Sequence, residues 1–335
     1  MKLLWIGMLL ALPGLLAPPG ALGAAPVSAP RVILAVDGTG ETRNLPVIVA
    51  ERLGYFREQG LIVTLVDAPA EPSPAELVKD GRADGAVAFY HHTFMSQADD
   101  HLITQSVITM GISPGLSIIV AERLRGEIKT LGDLKGRRIF TGGANSGKTT
   151  TANWIALHAG FGIREYTPLA LKSRDDMAAA LRDGTADAIV AHQPDADFYV
   201  AQGNVMLADV TTADGTRAAL GSLFPSTALY LPKTFIAAHP ATVQRLVDAC
   251  RKALAFIASH DAAAIAAILP PKMVGKDRAA FLRLLGEDKR MFETDGVMPE
   301  LAARAEWRAM TALAPKYGTI VFHDTFTNAF VSRAR

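Results

Sequence analysis

Short apolar runs alternate with helical stripes along most of the chain. The runs at residues 32–36, 86–89 and 189–191 are bounded by Gly, Asp, His or Tyr, a pattern that favours buried β-strands. Between such runs lie segments with apolar residues three or four positions apart, as at 241–259, which predict amphipathic helices. Strands that alternate with helices predict an α/β protein with mainly parallel sheets.

One pattern occurs twice in the chain. Residues 80–88 (DGRADGAVA) match residues 183–191 (DGTADAIVA) at six of nine positions, with an offset of 184 − 81 = 103. In each copy a predicted helix ends at a glycine suited to the left-handed conformation, Gly81 or Gly184, and an apolar strand follows. The repeat predicts two similar lobes, each a mainly parallel sheet flanked by helices.

Four loops follow predicted strands, at residues 37–44, 90–93, 146–150 and 192–195. Ligands of open α/β sheets bind beyond the carboxyl ends of the strands, so we expect these loops to line one cleft between the lobes. By the repeat, the first and third loops are equivalent, as are the second and fourth. The candidate ligand-binding residues are Thr39, Arg43, Asn44, Tyr90, His91, His92, Ser146, Gly147, Lys148, Thr149, His192, Gln193 and Asp195.

The first residues have the pattern of a cleavable export signal. Lys2 precedes an apolar run at 3–16, and small residues at 21–23 precede Ala24. The run is short for a membrane span, and no later stretch reaches the roughly 18 apolar residues that a span needs. No cysteine lies near the cleavage site, which argues against a lipid anchor. We expect a soluble periplasmic protein without stable membrane insertion, with an uncleaved amphipathic anchor as the alternative.

Charge and cysteine content limit the function classes. The 34 Lys and Arg residues nearly balance the 33 Asp and Glu residues, so the net charge of +1 gives no general attraction to nucleic acid or to anionic membranes. The single cysteine, Cys250, allows no internal disulfide. It shares a helical stripe with Val243, Val247, Leu254 and Ile257, which predicts a core residue rather than a reactive thiol.

Residues 142–149 (GGANSGKT) match the phosphate-binding pattern G-x-x-x-x-G-K-[ST]. The export signal argues against the interpretation of this loop as part of a nucleotide hydrolase, because the compartment outside the cytoplasm lacks ATP. We therefore favour an anion-binding loop at a helix N-terminus, with Ser146, Thr149 and Thr150 as hydroxyl donors. Lys148 would supply charge, although a solvated Lys148 stays open. A nucleotide-binding or phosphate-ester enzyme that uses this loop is the alternative function.

Two further patterns are weaker. Residues 111–115 (GISPG) fit the G-x-S-x-G nucleophile elbow, but that elbow leads into a helix, whereas Leu116–Val120 reads as a strand, so we favour hinge glycines. The histidines of the second and fourth loops, together with Asp195, could approach a metal ion. Without a His-x-x-x-His helix we expect no metal and no cofactor; ligand contacts and structural roles for Tyr90 and the histidines both stay open.

Residues 45–61 (LPVIVAERLGYFREQGL) resemble the start of the periplasmic solute-binding proteins of ABC importers. The resemblance is to the nitrate, sulfonate, taurine and thiamin-pyrimidine group. Residues 131–139 (LGDLKGRRI) are similar to the entry to the second lobe of that family, and the Asp-Gly-x-Ala-Asp repeats are similar to the segments that lead into its strands. The resemblance covers essentially the whole chain after the export signal.

The resemblance implies a two-lobed periplasmic-binding-protein fold of the type II kind, with crossing segments near residues 114–119 and 226–231. The implied limits are 1–23 for the signal peptide, 30–115 and 226–335 for the first lobe, and 116–225 for the inserted second lobe. It implies a monomer that captures a small polar or anionic molecule by hinge closure and presents it to an importer's membrane permease. Sulfonate, nitrate, carboxylate and thiamin-precursor ligands all stay open.

The same family resembles fungal enzymes that make the thiamin pyrimidine. Those enzymes carry a cysteine-rich motif that this chain lacks, so we expect a binding protein without enzymatic activity. Arg43 and Lys148 lie in equivalent loops and would place positive charge on opposing walls of the cleft. This placement predicts an anionic or polar ligand.

Overall fold

The computed structural model describes residues 29–68, 72–143, 146–170, 173–193 and 195–332, so the predicted export signal lies outside the described residues. The strands are β1 Arg31–Val36, β2 Ile62–Asp67, β3 Gly85–Phe89, β4 Thr104–Thr109, β5 Leu116–Val120, β6 Arg138–Phe140, β7 Thr167–Leu169, β8 Ala188–His192, β9 Val205–Val210 and β10 Thr227–Pro232. The helices are α1 Leu45–Arg52, α2 Tyr55–Glu58, α3 Pro74–Lys79, α4 His92–Asp100, α5 Gly147–His158, α6 Arg174–Asp183, α7 Asp195–Ala201, α8 Ala213–Leu220, α9 Lys233–Ala238, α10 Pro240–Ser259, α11 Ala262–Ile268, α12 Pro271–Val274, α13 Arg278–Asp288 and α14 Glu300–Leu313.

The strands form two five-stranded sheets with corresponding orders, β2-β1-β3-β10-β4 and β7-β6-β8-β5-β9. In each sheet one strand runs antiparallel to its neighbours: β10 between β3 and β4, and β5 between β8 and β9. The starts of β3 and β8 differ by 188 − 85 = 103 residues, which is the offset of the sequence repeat. The prediction of two α/β lobes, each with a mainly parallel sheet, is confirmed.

The repeated glycines have the predicted conformation. Gly81 and Gly184 have φ angles of +67° and +85°, values that glycine adopts without the steric cost of a side chain. After Gly81 the chain enters β3 at Gly85, and after Gly184 it enters β8 at Ala188. Each glycine therefore precedes its strand by the same number of residues. These turns direct each chain segment from its helix back into its sheet.

The chain passes between the sheets twice. Residues 110–115 lead from β4 into β5, and residues 221–226 lead from α8 into β10. The two connections are hydrogen-bonded to each other, since the amide of Ser226 donates to the carbonyl of Gly111 at 2.8 Å. The segments that we predicted at 114–119 and 226–231 are therefore largely strands β5 and β10, and the connections lie a few residues earlier. The lobe limits themselves stay a prediction.

Each sheet has its own apolar core. In the first, α10 packs against α1 and buries the stripe that contains Cys250, which is 0% exposed. Burial raises the pKa of the Cys250 thiol to about 12. The prediction of a core cysteine is confirmed. Among the described residues, no helix combines the length and apolar character that crossing a bilayer demands.

Candidate ligand-binding cleft

A cleft of about 810 Å³ lies between the two sheets, at the carboxyl ends of their strands. The first sheet contributes Asp37, which follows β1, and Phe89, which ends β3. The second contributes Gly142, which closely follows β6, and His192, which ends β8. All four predicted loop regions reach this one cleft, and its volume is in the range of pockets that hold small organic molecules.

Helix α5 begins in the wall of the cleft. The Ser146 hydroxyl accepts a hydrogen bond from the amide of Thr149 at 3.2 Å and donates one to the carbonyl of Thr141 at 2.9 Å. The Thr149 hydroxyl also donates to the Thr141 carbonyl, at 3.1 Å, and is buried. These bonds hold the loop in place, while Gly147 and Lys148, the first two residues of the helix, line the cleft.

Lys148 brings a positive charge into the cleft. Among the described residues, no carboxylate lies within ion-pair distance of its ammonium group, which is 5.6 Å from the centre of the Phe140 ring. Burial lowers the pKa of Lys148, and the carboxylates of Asp195 and Glu41 oppose that shift. A partly desolvated ammonium group without a paired carboxylate gains stability from a bound anion.

Arg43 faces the same cleft from the first lobe, but its charge is compensated. Its guanidinium group lies 3.4 Å from the carboxylate of Asp37 and 3.1 Å from that of Glu41. The neighbouring Asn44 amide donates to the carbonyls of Asp37 and Gly38 at 2.6 and 2.8 Å, and Asn44 is 1% exposed. Asn44 therefore fixes the turn that carries Arg43 and does not contact the cleft.

A buried carboxyl group is hydrogen-bonded to this turn. The hydroxyl of Thr42 donates to Asp288 at the end of α13, and Asp288 is 4% exposed. Burial raises the pKa of Asp288 to about 7, the hydrogen bond from Thr42 opposes the shift, and nearby Glu41 adds to it. The protonation state of Asp288 is thus linked to the loop that holds Arg43.

Two uncharged imidazoles lie on opposite walls of the cleft. His192 Nδ1 is 3.0 Å from the carbonyl oxygen of Gly115, which only accepts, so Nδ1 carries the proton and Nε2 carries the lone pair. Burial and the positive charges of Lys148 and Arg43 lower the pKa of His192 to about 3. Burial and the adjacent histidine lower that of His92 to about 3. Both rings are therefore neutral near pH 7 and are suited to hydrogen bonds with a polar ligand.

His91 lies behind the wall rather than in the cleft. Its Nδ1 is 3.2 Å from Oε1 of Glu306 on α14, and both side chains are buried. Burial lowers the pKa of His91 to about 4 and raises that of Glu306, which places the proton on the carboxyl group and makes the pair a neutral hydrogen bond. The His91 ring stacks on Phe89 with centroids 5.4 Å apart, and so supports the cleft wall.

The cleft contains part of the predicted set. The candidates that line it are Arg43, His92, Ser146, Gly147, Lys148 and His192. Thr39 lines a separate groove of about 590 Å³ beside β2. Gln193 lines two smaller neighbouring cavities, and Asp195 lies 3.8 Å from Arg174.

The buried candidates do not line this cleft, since their side chains point into the protein. Besides Asn44, His91 and Thr149, this holds for Tyr90, which is 0% exposed and whose hydroxyl lies 2.6 Å from that of Thr325. Neighbouring side chains at the end of a strand point to opposite faces, so Tyr90 enters the core where Phe89 enters the cleft. Phe89 was missed, although the repeat pairs it with His192 (192 − 89 = 103).

The start of α5 differs from a nucleotide site. The Thr149 hydroxyl, which would bind magnesium there, is used within the loop. The Phe89 ring lies so close to Gly147 that a β-carbon at Gly147 would be 2.7 Å from Cζ, so an aromatic ring packs against the first turn of α5. The alternative of a nucleotide enzyme is therefore not favoured.

The two weaker patterns find structural explanations. Ser113 of the GISPG sequence is fully buried in the connection between the sheets, and the strand that we predicted after it is β5. Among the described residues, no three or more His, Cys, Asp or Glu side chains are grouped so that they could hold a metal ion. The histidines proposed for such a site face Gly115, Glu306 and the cleft instead.

Comparison with known proteins identifies relatives of two kinds. The family described as NMT1/THI5 like matches residues 41–264. The 4-amino-5-hydroxymethyl-2-methylpyrimidine phosphate synthase THI13 of Saccharomyces cerevisiae is 25% identical over 221 residues, which are 64% of this chain. The match spans 63% of the length of the yeast protein.

Two solved structures share the fold over most of the chain. A protein from Bordetella bronchiseptica RB50 is 26% identical, with a TM-score of 0.74, over 90% of this chain and 96% of that protein. The periplasmic aliphatic sulphonate binding protein SsuA from Escherichia coli is 19% identical, with a TM-score of 0.66, over 87% and 94% of the two chains. The fold is that of the periplasmic binding proteins, and the chain belongs to the NMT1/THI5-like family.

Proposed function

We propose that this chain is the substrate-binding component of an ABC importer, which captures a small organic anion between its two lobes in the periplasm. The observation that carries the proposal is Lys148, whose ammonium group enters a cleft lined by both lobes without a carboxylate partner among the described residues. Arg43 and the start of α5 add positive potential beside it. The family and the fold support the same function.

The size and lining of the cleft favour an organic ligand over an inorganic ion. A volume of about 810 Å³ far exceeds what nitrate or sulfate fills. Apolar side chains of Phe89 and Met95 lie beside the polar groups, so a ligand with an anionic head and an apolar body fits best. A sulfonate or a carboxylate has this chemistry.

The position of the charges on both lobes supports hinge closure. A ligand that contacts Lys148 on one lobe and the Arg43 loop on the other favours the closed arrangement by the free energy of both contacts, and the permease would recognise that arrangement. We propose that the protein catalyses no reaction, unlike the yeast synthase. In the described part of the cleft, no serine hydroxyl is hydrogen-bonded to a histidine, so the Ser–His pair of a serine hydrolase is not formed there.

Thermal unfolding of the chain from Ala24 onward tests the proposal. The additives are sulfonates, carboxylates, inorganic anions, pyrimidines and Mg-ATP. A ligand that binds only the folded state adds about 2.7 kcal/mol at a hundred times its Kd, which raises the midpoint by roughly a few degrees. We expect a rise with organic anions and none with Mg-ATP. A rise with Mg-ATP alone would contradict the proposal and support the nucleotide alternative.

A further inference from the structure

Phe89 belongs to the first sheet but packs into the second lobe. It ends β3, yet its side chain, which is 9% exposed, joins the apolar cluster built around β5, β8 and α5. It also lines the cleft, as does Gly147 opposite. The ring is thus a bridge between the lobes at the edge of the ligand space.

The contact between Phe89 and Gly147 leaves no room for a larger residue. A β-carbon built on Gly147 would lie 2.7 Å from Cζ, 3.1 Å from Cε2 and 3.3 Å from Cε1 of the ring. Real β-carbons do not approach other atoms to 2.7 Å, so alanine here would force the ring or the lobes apart. The backbone of Gly147 is helical, and it is therefore the ring, not the backbone, that requires glycine.

The ring packs against three other side chains of its own lobe. One face stacks on His91 with the ring centroids 5.4 Å apart and an interplanar angle of 19°, and the centroid of the steeply inclined His92 ring is 6.4 Å away. The guanidinium group of Arg43 lies 5.8 Å from the ring centre. His91 is itself held by the buried Glu306. The steric clash of a side chain at position 147 with Phe89 would therefore be relieved mainly by movement of one lobe relative to the other.

We propose that Phe89 and Gly147 form the stop for lobe closure, and that glycine at 147 sets how closely the lobes approach around the ligand. This inference rests on the proposed binding function. Since ligand contacts from both walls are complete only when the lobes are fully closed, a larger residue at 147 weakens binding without touching the ligand.

The test uses Gly147→Ala, Phe89→Leu, the double variant and Gly286→Ala. Gly286 is a matched control, because it lies inside α13 and a β-carbon there would meet nothing within 4 Å. The readouts are the radius of gyration from small-angle X-ray scattering with and without ligand, the Kd for the sulfonate or carboxylate that most stabilises the wild-type chain, and the melting temperature.

For Gly147→Ala we expect a larger radius of gyration and a Kd weaker by about tenfold or more, the size of effect that overpacking gives. The melting temperature should hold or rise, since alanine favours helix over glycine. In the double variant the shorter leucine side chain at position 89 should remove most of the effect of alanine at 147, so the two losses in affinity should not add. Gly286→Ala should match the wild type in Kd and radius.

Wild-type scattering and affinity in Gly147→Ala would overturn the inference. So would losses that add in the double variant, because the glycine would then not act through Phe89. If no compound stabilises the wild-type chain, the binding function fails while the closure stop is judged by scattering alone, where equal radii for Gly147→Ala and wild type would reject it.

Discussion

The loops that follow β1 and β6 occupy equivalent positions in the two lobes but carry different electrostatics. In the first, Arg43 is paired with two carboxylates and its turn is fixed by Asn44. In the second, Thr149 fixes the loop through its hydroxyl, and Lys148 has no carboxylate partner among the described residues. Both loops have one inward-pointing anchor and one cation in the cleft, so equivalent topology keeps the anchor and the cation but not the pairing of that cation with carboxylates.

This difference assigns separate roles to the two walls. The first lobe offers a charge that its own carboxylates already stabilise, and thus contributes shape and directed hydrogen bonds. The second offers an ammonium group whose desolvation is offset only when an anion binds. Anion attraction should therefore depend more on the second lobe than on the first.

Substitution of Lys148 should have the largest effect. Lys148→Met keeps the apolar stem and removes the charge, so affinity for an organic anion should fall by about thirtyfold or more, equivalent to roughly 2 kcal/mol. Isothermal titration with the compound identified by thermal unfolding measures this. Lys135→Met is the control, because Lys135 is an exposed residue of the same lobe paired with Glu165 outside the cleft. Equal affinity in Lys148→Met and Lys135→Met would show that the anion binds elsewhere.

Asp288 links the stability of the first loop to pH. With a pKa of about 7 in the folded state against about 3.9 unfolded, Asp288 stabilises the fold at low pH and loses this contribution as pH rises to 7. The free energy of unfolding of Asp288→Asn relative to that of the wild type should therefore increase as the pH rises from 5 to 7, by roughly 1–3 kcal/mol.

Urea unfolding at pH 5, 6, 7 and 8 measures this gain, and the buried histidines cancel because both proteins contain them. Asp277→Asn is the matched control at the other end of α13, where asparagine caps the helix as well as aspartate does. A constant difference between Asp288→Asn and wild type across this range would refute the link.

The two anchors should have similar structural importance. Asn44→Ala removes two buried hydrogen bonds and should lower the free energy of unfolding by about 1–2 kcal/mol. Thr149→Val removes the corresponding hydroxyl bonds at constant shape and should cost about as much. Chemical denaturation compares both with Thr39→Ala, whose half-exposed side chain lies in the other groove. If only one anchor proves costly, the lobes differ in anchoring as well as in charge.

Substitution of Arg43 should have the smallest effect on affinity. Arg43→Met removes a cation already shared with Asp37 and Glu41, so we expect a loss of about fivefold, near 1 kcal/mol. The same titration that measures Lys148→Met applies. A loss as large as that of Lys148→Met would reverse the roles assigned to the two walls.

The fold was predictable because its signals are local and occur twice. The glycines at 81 and 184, the apolar strands after them and the stripe around Cys250 each depend on short-range periodicity, and all adopt the predicted structure. Loop positions at the ends of strands also indicated where the cleft lies.

Side-chain direction was less predictable. Whether Phe89 or Tyr90 faces the cleft depends on the residue at which β3 leaves its sheet, and a shift of one residue reverses the two faces. Asn44 and Thr149 turn inward because their own loops need hydrogen-bond partners, and composition does not reveal that need. The role of Glu306 depends on α14 packing beside His91, a contact between residues 215 positions apart in the chain.

The antiparallel strand within each sheet has a consequence for the order of folding. All five strands of the second sheet come from one continuous stretch, from Leu116–Val120 to Val205–Val210, so that sheet is complete as soon as this stretch is available. The first sheet has a gap between β3 and β4 that only Thr227–Pro232 fills, more than a hundred residues later. In a chain that emerges from its N-terminus, the inserted lobe can therefore assemble first, while the lobe that begins the sequence waits for its last strand.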